Sequence, residues 1–362
     1  MSGDPMRVLR TLVGVTVAAA AVGLTPVAGE AQCPTVLPTD PANSTNRLLS
    51  DACNKANDAF QLVAPQVSVM LAGGNPSPSI GGTLGGFPHF NVGVRVNAVQ
   101  GVLPRLDQAS PGLGFSGAQA SNIPVTDVLL VMPQVDAQIG LFKGFKLGLP
   151  IPFLGITNMF GVDALVSAAY LPSASARSGG NGIALEGGQL AVGYGARLGI
   201  FEESLLAPGL AVSYMLRPTP EVTLEATRGA DTLGVRRFKV NTSSLRITAS
   251  KTIPIIGVGL SAGIGQDVVD GSANLVVSAT PLAPLPTARV RDEERTTLAS
   301  VTRRNVFVGA SLKFLIVRLA AEVGYVSGGT NPRLTNAFLD GSDLARPMDG
   351  RRYATVSARI GL

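Results

Sequence analysis

The chain of 362 residues is 46% hydrophobic and only 15% charged, with a mean hydropathy of +0.32, so it must shield a large apolar surface from water. Its 43 glycines and 25 prolines are spread along the whole length, which excludes a fold of long helices, because each costs roughly 1 (Gly) or 3 (Pro) kcal/mol in a helix interior. The formal charge is +5, but the basic residues are scattered singly and no aromatic cluster accompanies them, which argues against nucleic-acid binding.

The first 31 residues match a secretory signal peptide. Arg7 and Arg10 give a positive start, residues 11–24 form an apolar stretch, and Gly29 and Ala31 supply the small residues that a signal peptidase recognises. The apolar stretch is too short to cross roughly 30 Å of hydrocarbon as a helix, so a retained anchor is the weaker interpretation. We therefore predict export and cleavage after Ala31.

Two cysteines, Cys33 and Cys53, lie near the start of the predicted mature chain. An oxidising compartment would allow them to pair, and an exported chain with only these two cysteines favours a disulfide over two unrelated thiols. Lipidation of Cys33 is an alternative, although Gln32 is a poor fit to the small residue that lipidation requires. Neither cysteine has a histidine or a CxxC partner beside it, so we predict no metal site.

One helical region is expected, between Asn43 and Met70. Ser44 or Thr45 can cap it, and Pro65 should end or kink it. Apolar residues recur there at three- and four-residue spacing and form one face: Leu48, Leu49, Ala52, Cys53, Ala56 and Phe60. The Gly/Pro/Ser-rich stretch that follows, from Gly73 to Pro88, is a predicted linker. Residues 32–87 are thus expected to form an N-terminal helical plug segment with a linker.

From Phe90 onward, apolar residues recur at every second position. In the first such segment Val92, Val94 and Val96 alternate with Gly93 and Arg95, which places the two sets on opposite faces. The same alternation recurs in residues 160–170, 190–200, 256–265 and 305–314. A soluble β-sandwich would carry mostly Lys, Glu and Thr on its second face, whereas here that face is mostly Gly, Ser and Ala with an occasional charge. The pattern favours strands whose apolar face meets lipid.

The alternation continues to the carboxyl terminus, where Ala354, Val356, Ala358, Ile360 and Leu362 share one face. This resembles the terminal strand of bacterial outer-membrane β-barrel proteins, although the chain ends in Leu, lacks Trp and is only 5% aromatic. The resemblance covers residues 88–362. It implies an all-β fold, a transmembrane antiparallel β-barrel with a short N-terminal helical segment, a location in the Gram-negative outer membrane, and outer-membrane lipid and the barrel-assembly machinery as partners.

The length of this region predicts the number of strands. About 275 residues, at roughly 20 per strand and turn, give 12–14 strands. Two long polar stretches, residues 281–304 and 328–350, are expected to be external loops. The junction near Phe314 to Val317 lacks turn residues, so the strand boundaries there are not defined by the sequence.

Charged residues on the inward face are the candidates for function, because charge in a barrel wall is tolerated only where water or a partner satisfies it. They are Arg95, Asp136, Asp163, Arg197, Lys313, Arg318, Glu322 and Arg359. The alternative is that they pair across the lumen and serve structure alone. The single histidine, His89, has no serine at the neighbouring same-face position, so we expect no enzymatic activity, no cofactor and no metal.

Three functions are compatible with these patterns. The leading hypothesis is passive transport or a channel for small hydrophobic or amphipathic molecules, with the disulfide-closed N-terminal segment as a partial plug. Its architecture resembles that of fatty-acid-transporter-like or porin-like outer-membrane proteins. The first alternative is a structural or adhesive surface barrel whose extracellular loops bind a partner. The second is a secreted, soluble β-sandwich.

Overall fold

The computed structural model describes residues 33, 44–78, 82–105, 123–146, 158–171, 174–178, 181–187, 189–204, 207–228, 231–253, 256–279, 290–329, 338–340, 343–344 and 349–361. The predicted signal peptide, residues 1–31, lies outside these residues. So do residues 281–289 and most of 330–348, where loops were expected.

The described chain contains one helix and fifteen strands. In chain order these are α1 (Ser44–Ala72), β1 (Phe90–Pro104), β2 (Ile123–Phe142), β3 (Val162–Tyr170), β4 (Ala174–Ser178), β5 (Asn181–Gly187), β6 (Leu190–Phe201), β7 (Gly209–Pro218), β8 (Val222–Arg228), β9 (Asp231–Ile253), β10 (Val258–Ala279), β11 (Val290–Phe314), β12 (Val317–Val326), β13 (Phe338–Asp340), β14 (Asp343–Leu344) and β15 (Arg351–Gly361).

Within these residues, ten strands close into a ring in the order β1-β2-β3-β6-β7-β9-β10-β11-β12-β15. Each pairs antiparallel with both neighbours, and β15 returns to β1 in a register that joins Val96 to Val356. Strand β9 continues past β7 and pairs with β8 there, and β8, β5 and β4 extend the sheet outside the ring. The predicted fold class, an antiparallel β-barrel with a short N-terminal helix, is confirmed.

The number of strands in the ring differs from the expected 12–14. Strands β9, β10 and β11 have 23, 22 and 25 residues, and β4, β5 and β8 lie beside the ring, so the same length of chain makes fewer wall strands. Residues 290–304, expected to belong to an external loop, form the first part of β11. The long strands thus contain residues that the sequence analysis expects in loops.

The two ends of the barrel differ. At one end, here called the short-turn end, Leu315 and Ile316 alone join β11 to β12, β1 begins and β15 finishes. At the opposite, long-loop end lie the connections from β1 to β2, from β3 to β6 and from β12 to β15, and β9, β10 and β11 project there beyond the ring. One long connection, residues 143–161, joins β2 to β3 at the short-turn end. Outer-membrane barrels have short periplasmic turns and longer extracellular loops, so the short-turn end is expected to face the periplasm.

The outer face of the ring is apolar. Val94, Leu129 and Val308 are 57%, 70% and 57% exposed, and alternate residues of the same strands are buried, as the period of two predicts. Exposed phenylalanines gather at the short-turn end: Phe87, Phe90, Phe142, Phe145, Phe160 and Phe314. Exposed tyrosines lie on the halves of the strands nearer the long-loop end: Tyr170, Tyr194, Tyr214 and Tyr325. Despite the low aromatic content, both interfaces of the aliphatic band carry rings.

Helix α1 lies inside the barrel and against the projecting strands. Its Ala56, Leu62 and Ala64 are fully buried. The helix runs through Pro65, which was expected to end or kink it, and stops only at Ala72. Proline costs a helix interior about 3 kcal/mol, and packing of both faces against the barrel offsets that cost. Among the described residues, no helix is long and apolar enough to cross a membrane.

The amino-terminal part of the helix packs at the long-loop end. Cys53 lies in an apolar cluster with Leu275 and Val277 of β10, and the partly buried Cys33 packs on the same cluster. The predicted disulfide between Cys33 and Cys53 is confirmed, with the two Cα atoms 5.7 Å apart. This bond excludes the alternative that the Cys33 thiol is lipidated. From here the chain descends through the ring to reach β1 at the short-turn end.

Candidate functional site in the barrel lumen

The helix ends in the middle of the lumen. Gly73, with a φ of 55°, adopts the left-handed conformation that ends many helices, and its N–H donates to Val69 O at 2.9 Å. The last carbonyls of a helix have no partner within the helix. Here Met70 O accepts hydrogen bonds from Asn97 Nδ2 at 2.8 Å and from Gln134 Nε2 at 3.1 Å. Side chains of the barrel wall therefore cap the helix.

Side chains of strands β9 to β11 bind the carbonyls of Gly73 and Gly74. Arg246 donates from Nη2 to Gly73 O at 3.0 Å and from Nε to Gly74 O at 3.2 Å. Asn305 Nδ2 donates to the same Gly73 O at 3.0 Å. Arg246 also forms an ion pair with Asp267 at 2.7 Å. A cation that is paired in this way can face the negative end of the helix dipole without a net buried charge.

Residues of β1 and β12 bind the backbone of Asn75. Its N–H donates to Glu322 Oε1 at 3.0 Å, and its carbonyl accepts from Arg95 Nη1 at 3.4 Å. Arg95 also pairs with Asp136 at 2.8 Å and donates to Gln134 Oε1 at 2.7 Å. Both polar groups of one backbone unit are thereby bound by charged residues from different strands.

Further toward the short-turn end, Ser77, Gly82 and Leu84 contact β2, β3 and β6. Ser77 Oγ accepts from Gln138 and Arg197, and Arg197 Nη1 donates to Gly82 O at 2.8 Å. Leu84 N–H donates to both carboxylate oxygens of Asp163 at 3.1 Å. We call the described residues 73–78 and 82–84 the plug. It fills the centre of the ring and is held by side chains of the wall at successive levels.

The structure brings most of the predicted lumen residues together. Arg95, Asp136, Asp163, Arg197, Glu322 and Arg359 are buried inside the ring, and all but Arg359 contact the plug or each other. Arg318 is half-buried at the short-turn end, and Lys313 is exposed there. The sequence reasoning missed other residues that hold the plug: Asn97, Gln134, Arg246, Asp267 and Asn305. The alternation of exposed Leu245 and Ile247 around Arg246 could have identified that residue.

The lumen changes character along its axis. Toward the long-loop end, Val99, Met132, Phe307 and Val326 form an apolar cluster with Met70 and Leu71 of the helix. At the short-turn end, a cavity of about 260 Å³ opens between the plug and the wall, lined by Thr83, Leu84, Glu202, Glu203, Arg318 and neighbouring residues. The interior therefore passes from apolar to charged.

These features define the class. A closed ring of antiparallel strands with an aliphatic exterior and a hydrogen-bonded, charged interior is a transmembrane β-barrel of the bacterial outer-membrane type. Within the described part of the chain, no three His, Cys, Asp or Glu side chains are grouped to hold a metal ion.

The comparisons with known proteins found distant structural likenesses. No protein-family model matches the chain, and no curated protein matches it. Among solved structures, the chain is similar to the outer-membrane protease OmpT of Escherichia coli, at 9% identity and a TM-score of 0.39 over 76% of this chain and 97% of that one. It is also similar to the translocator domain of the autotransporter NalP of Neisseria meningitidis, at 9% identity and a TM-score of 0.30 over 84% and 96%.

The toluene transporter TodX of P. putida matches at 12% identity and a TM-score of 0.25 over 75% of this chain and 88% of that one. Likenesses at this level do not transfer an activity. The function has to be argued from the lumen.

Proposed function

We propose that the protein is an outer-membrane channel for small hydrophobic or amphipathic molecules. In this proposal the chain is exported with a cleaved signal peptide, and the plug closes the channel at rest. One observation carries the proposal. The described contacts that hold the plug in the ring are non-covalent, and they lie between the Cys33–Cys53 disulfide at the long-loop end and the start of β1 at the short-turn end. A segment that is tethered at both ends and held between them by hydrogen bonds can shift within the ring without leaving it. The proposal includes no catalytic step.

The gradient of the lumen supports amphipathic cargo. Once the plug and the end of the helix shift, an apolar molecule that passes from the long-loop end would meet Val99, Met132 and Phe307, which offer no polar group that would have to lose water. Its polar end would then reach the charged, hydroxyl-lined wall near the short-turn end. Ligand sites of this kind are mostly apolar, with a few polar groups that fix the orientation.

A reversible lock on the plug tests the proposal. A Cβ built on Gly199 of β6 would lie 3.7 Å from Thr83 Cβ in the plug, close to the separation in disulfides, about 3.8 Å. The double variant Thr83→Cys/Gly199→Cys should therefore form a bond between plug and wall, visible as a shift on a non-reducing gel. We expect cells that express it to take up radiolabelled octanol across the outer membrane much more slowly than wild-type cells, and a reductant to restore the uptake.

The two single-cysteine variants control for the substitutions, and wild-type cells with and without reductant control for the native disulfide. Equal uptake by the locked and the reduced double variant would show that the plug does not gate the barrel. Uptake by wild-type cells no faster than by cells without the protein would contradict the channel itself.

A further inference from the structure

Three basic residues form a row across the inner wall near the short-turn end. Lys313 of β11 lies directly opposite Arg318 of β12, and Arg318 lies directly opposite Arg359 of β15. All three occupy inward positions of their strands. Like charges directly opposite one another destabilise a sheet, so this arrangement costs the fold free energy that pairing with acids would have avoided.

Arg359 is buried among several other cations. Its side chain is only 4% exposed. Three cations, Arg197, Arg95 and Arg318, and two acids, Asp136 and Glu322, act on its guanidinium. Both acids also have other partners: Asp136 forms the 2.8 Å ion pair with Arg95, and Glu322 accepts from Asn75 N–H at 3.0 Å. A buried charge requires a counter-charge or several hydrogen bonds, and within the described residues Arg359 Nη1 has no hydrogen-bond partner.

Two buried serines lie one inward position along the wall from this row. Ser357 is the next inward residue on β15, and Ser311 is the next inward residue on β11. Both are buried, and their Oγ atoms also have no partner among the described protein atoms. A Cβ placed on Gly259 would lie 2.7 Å from Ser311 Oγ and 3.9 Å from Arg318 Nη1. The glycine therefore allows the hydroxyl to approach the backbone of β10 closely, near the cation.

The nearby acids face other partners. Glu202 Oε2 accepts from Asn158 Nδ2 at 2.7 Å. Glu203 Oε2 accepts from Thr252 Oγ1 at 3.2 Å, and its Oε1 lies 3.7 Å from Lys251 Nζ. Glu203 also attracts Arg318, so it offsets part of the positive charge of the row.

We propose that Arg359, with Ser311, Ser357 and the flanking Arg318 and Lys313, binds the anionic group of an amphipathic molecule, a carboxylate or a phosphate. Cationic guanidinium and neutral hydroxyl donors are the groups that recognise such anions. The inference rests on the proposed channel function, because it names the class of molecule that the channel would carry. The apolar tail would extend toward the apolar cluster nearer the long-loop end.

Calorimetric titration of the purified protein in a neutral detergent, with protein-free detergent as the blank, tests the site. The probes are octanoate, octanol and inorganic phosphate. We expect octanoate to bind the wild-type protein at least about tenfold more tightly than octanol, since hydrogen bonds to a charged group are the strong ones. Arg359→Gln should remove that difference, and Arg359→Lys should keep part of it. Arg352→Gln, on the outer face of the same strand, should change nothing.

Each contrary result is distinct. Equal affinity for octanol and octanoate, or an unchanged preference in Arg359→Gln, would overturn the anion site, and the uptake of octanol in the plug-lock experiment would still decide the channel function separately. Phosphate binding as tight as octanoate binding would overturn the assignment to amphipathic molecules. If Arg359→Gln does not show the heat-modifiable mobility of a folded barrel, Lys313→Gln replaces it, because that exposed side chain can be changed without opening the interior; an unchanged octanoate affinity in this variant would count equally against the site.

Discussion

The ion pair between Arg246 and Asp267 joins the wall of the barrel to the carbonyls of the plug. Its side chains are 0% and 2% exposed. Arg246→Gln would leave Asp267 as a buried charge without its cation, so we expect the free energy of unfolding to fall by about 3–5 kcal/mol. Urea unfolding in micelles, followed by circular dichroism, measures the change.

Arg236→Gln is the matched control for that variant. Arg236 pairs with Glu225 on the projecting sheet, where the two side chains are 36% and 27% exposed. An ion pair in contact with water contributes less than about 1 kcal/mol. If the two substitutions had equal effects, the buried pair would not stabilise the plugged state more than a surface pair.

Gly74 is required by the close approach of the plug to Glu322. A Cβ at this position would lie 1.5 Å from Glu322 Oε1 and 2.6 Å from Tyr353 OH. Gly74→Ala should therefore displace the carboxylate from Asn75 N–H and lower the free energy of unfolding by about 1–3 kcal/mol.

Gly82→Ala provides the comparison, because a Cβ at Gly82 meets no atom within 4 Å. Its effect should stay within about 0.5 kcal/mol. The same urea titration measures both variants, and a Gly74→Ala variant as stable as Gly82→Ala would refute the tight contact.

At the level of single residues, the sequence predicts which charges face inward but not what they bind. Arg95 and Asp136 could be assigned because strict alternation places them opposite exposed valines. That Arg95 donates to the backbone carbonyl of Asn75 could not be predicted, since a Gly- and Pro-rich stretch has the composition of a linker whether it lies in solvent or inside a barrel.

Among the elements, the turn between β11 and β12 carries strain. Leu315 has a φ of 55°, a region that costs a bulky residue about 1–2 kcal/mol. Asparagine adopts this conformation more readily. Leu315→Asn should therefore raise the free energy of unfolding by about 1 kcal/mol.

Ile316→Asn removes a comparable exposed side chain from the same turn and controls for the loss of apolar surface. It should not stabilise the protein, because no positive φ occurs at Ile316. A greater stability of the Ile316 variant than of the Leu315 variant in urea would contradict the strain argument.

The elements also show where sequence periodicity reaches its limit. The turn at Leu315 lacks Gly, Asn, Asp and Pro, so no residue type marks the boundary between β11 and β12. Helix α1 continues past Pro65 because the barrel packs against it from several strands, and such tertiary contacts have no local signature. The alternation in β1, β3, β6 and β15 was correctly predicted, because one face of each strand is exposed and the other is buried.

For the molecule as a whole, the path of the chain determines which side each segment occupies. Cys33 and Cys53 lie at the long-loop end, whereas Ile256 lies in the turn between β9 and β10 at the short-turn end and is exposed. If the long loops face outward, a membrane-impermeant maleimide should label Cys33 of a Cys53→Ser variant on intact cells.

The cysteine of a Cys33→Ser/Cys53→Ser/Ile256→Cys variant should react only after the cells are opened. It serves as the control from the opposite side of the membrane. The reverse pattern of labelling would invert the orientation of the barrel and place the disulfide in the periplasm.

The pairing of β1 with β15 joins the earliest and the latest wall strands of the chain. The cylinder cannot be complete before β15 has been synthesised, and the helix precedes β15 in the chain. The wall can therefore be assembled around the helix, and nothing needs to be pulled through a finished pore. Loss of β15 would leave a permanent lateral gap beside Arg95 and Asn97, which bind the plug and the end of the helix. The plug would then be exposed to proteases.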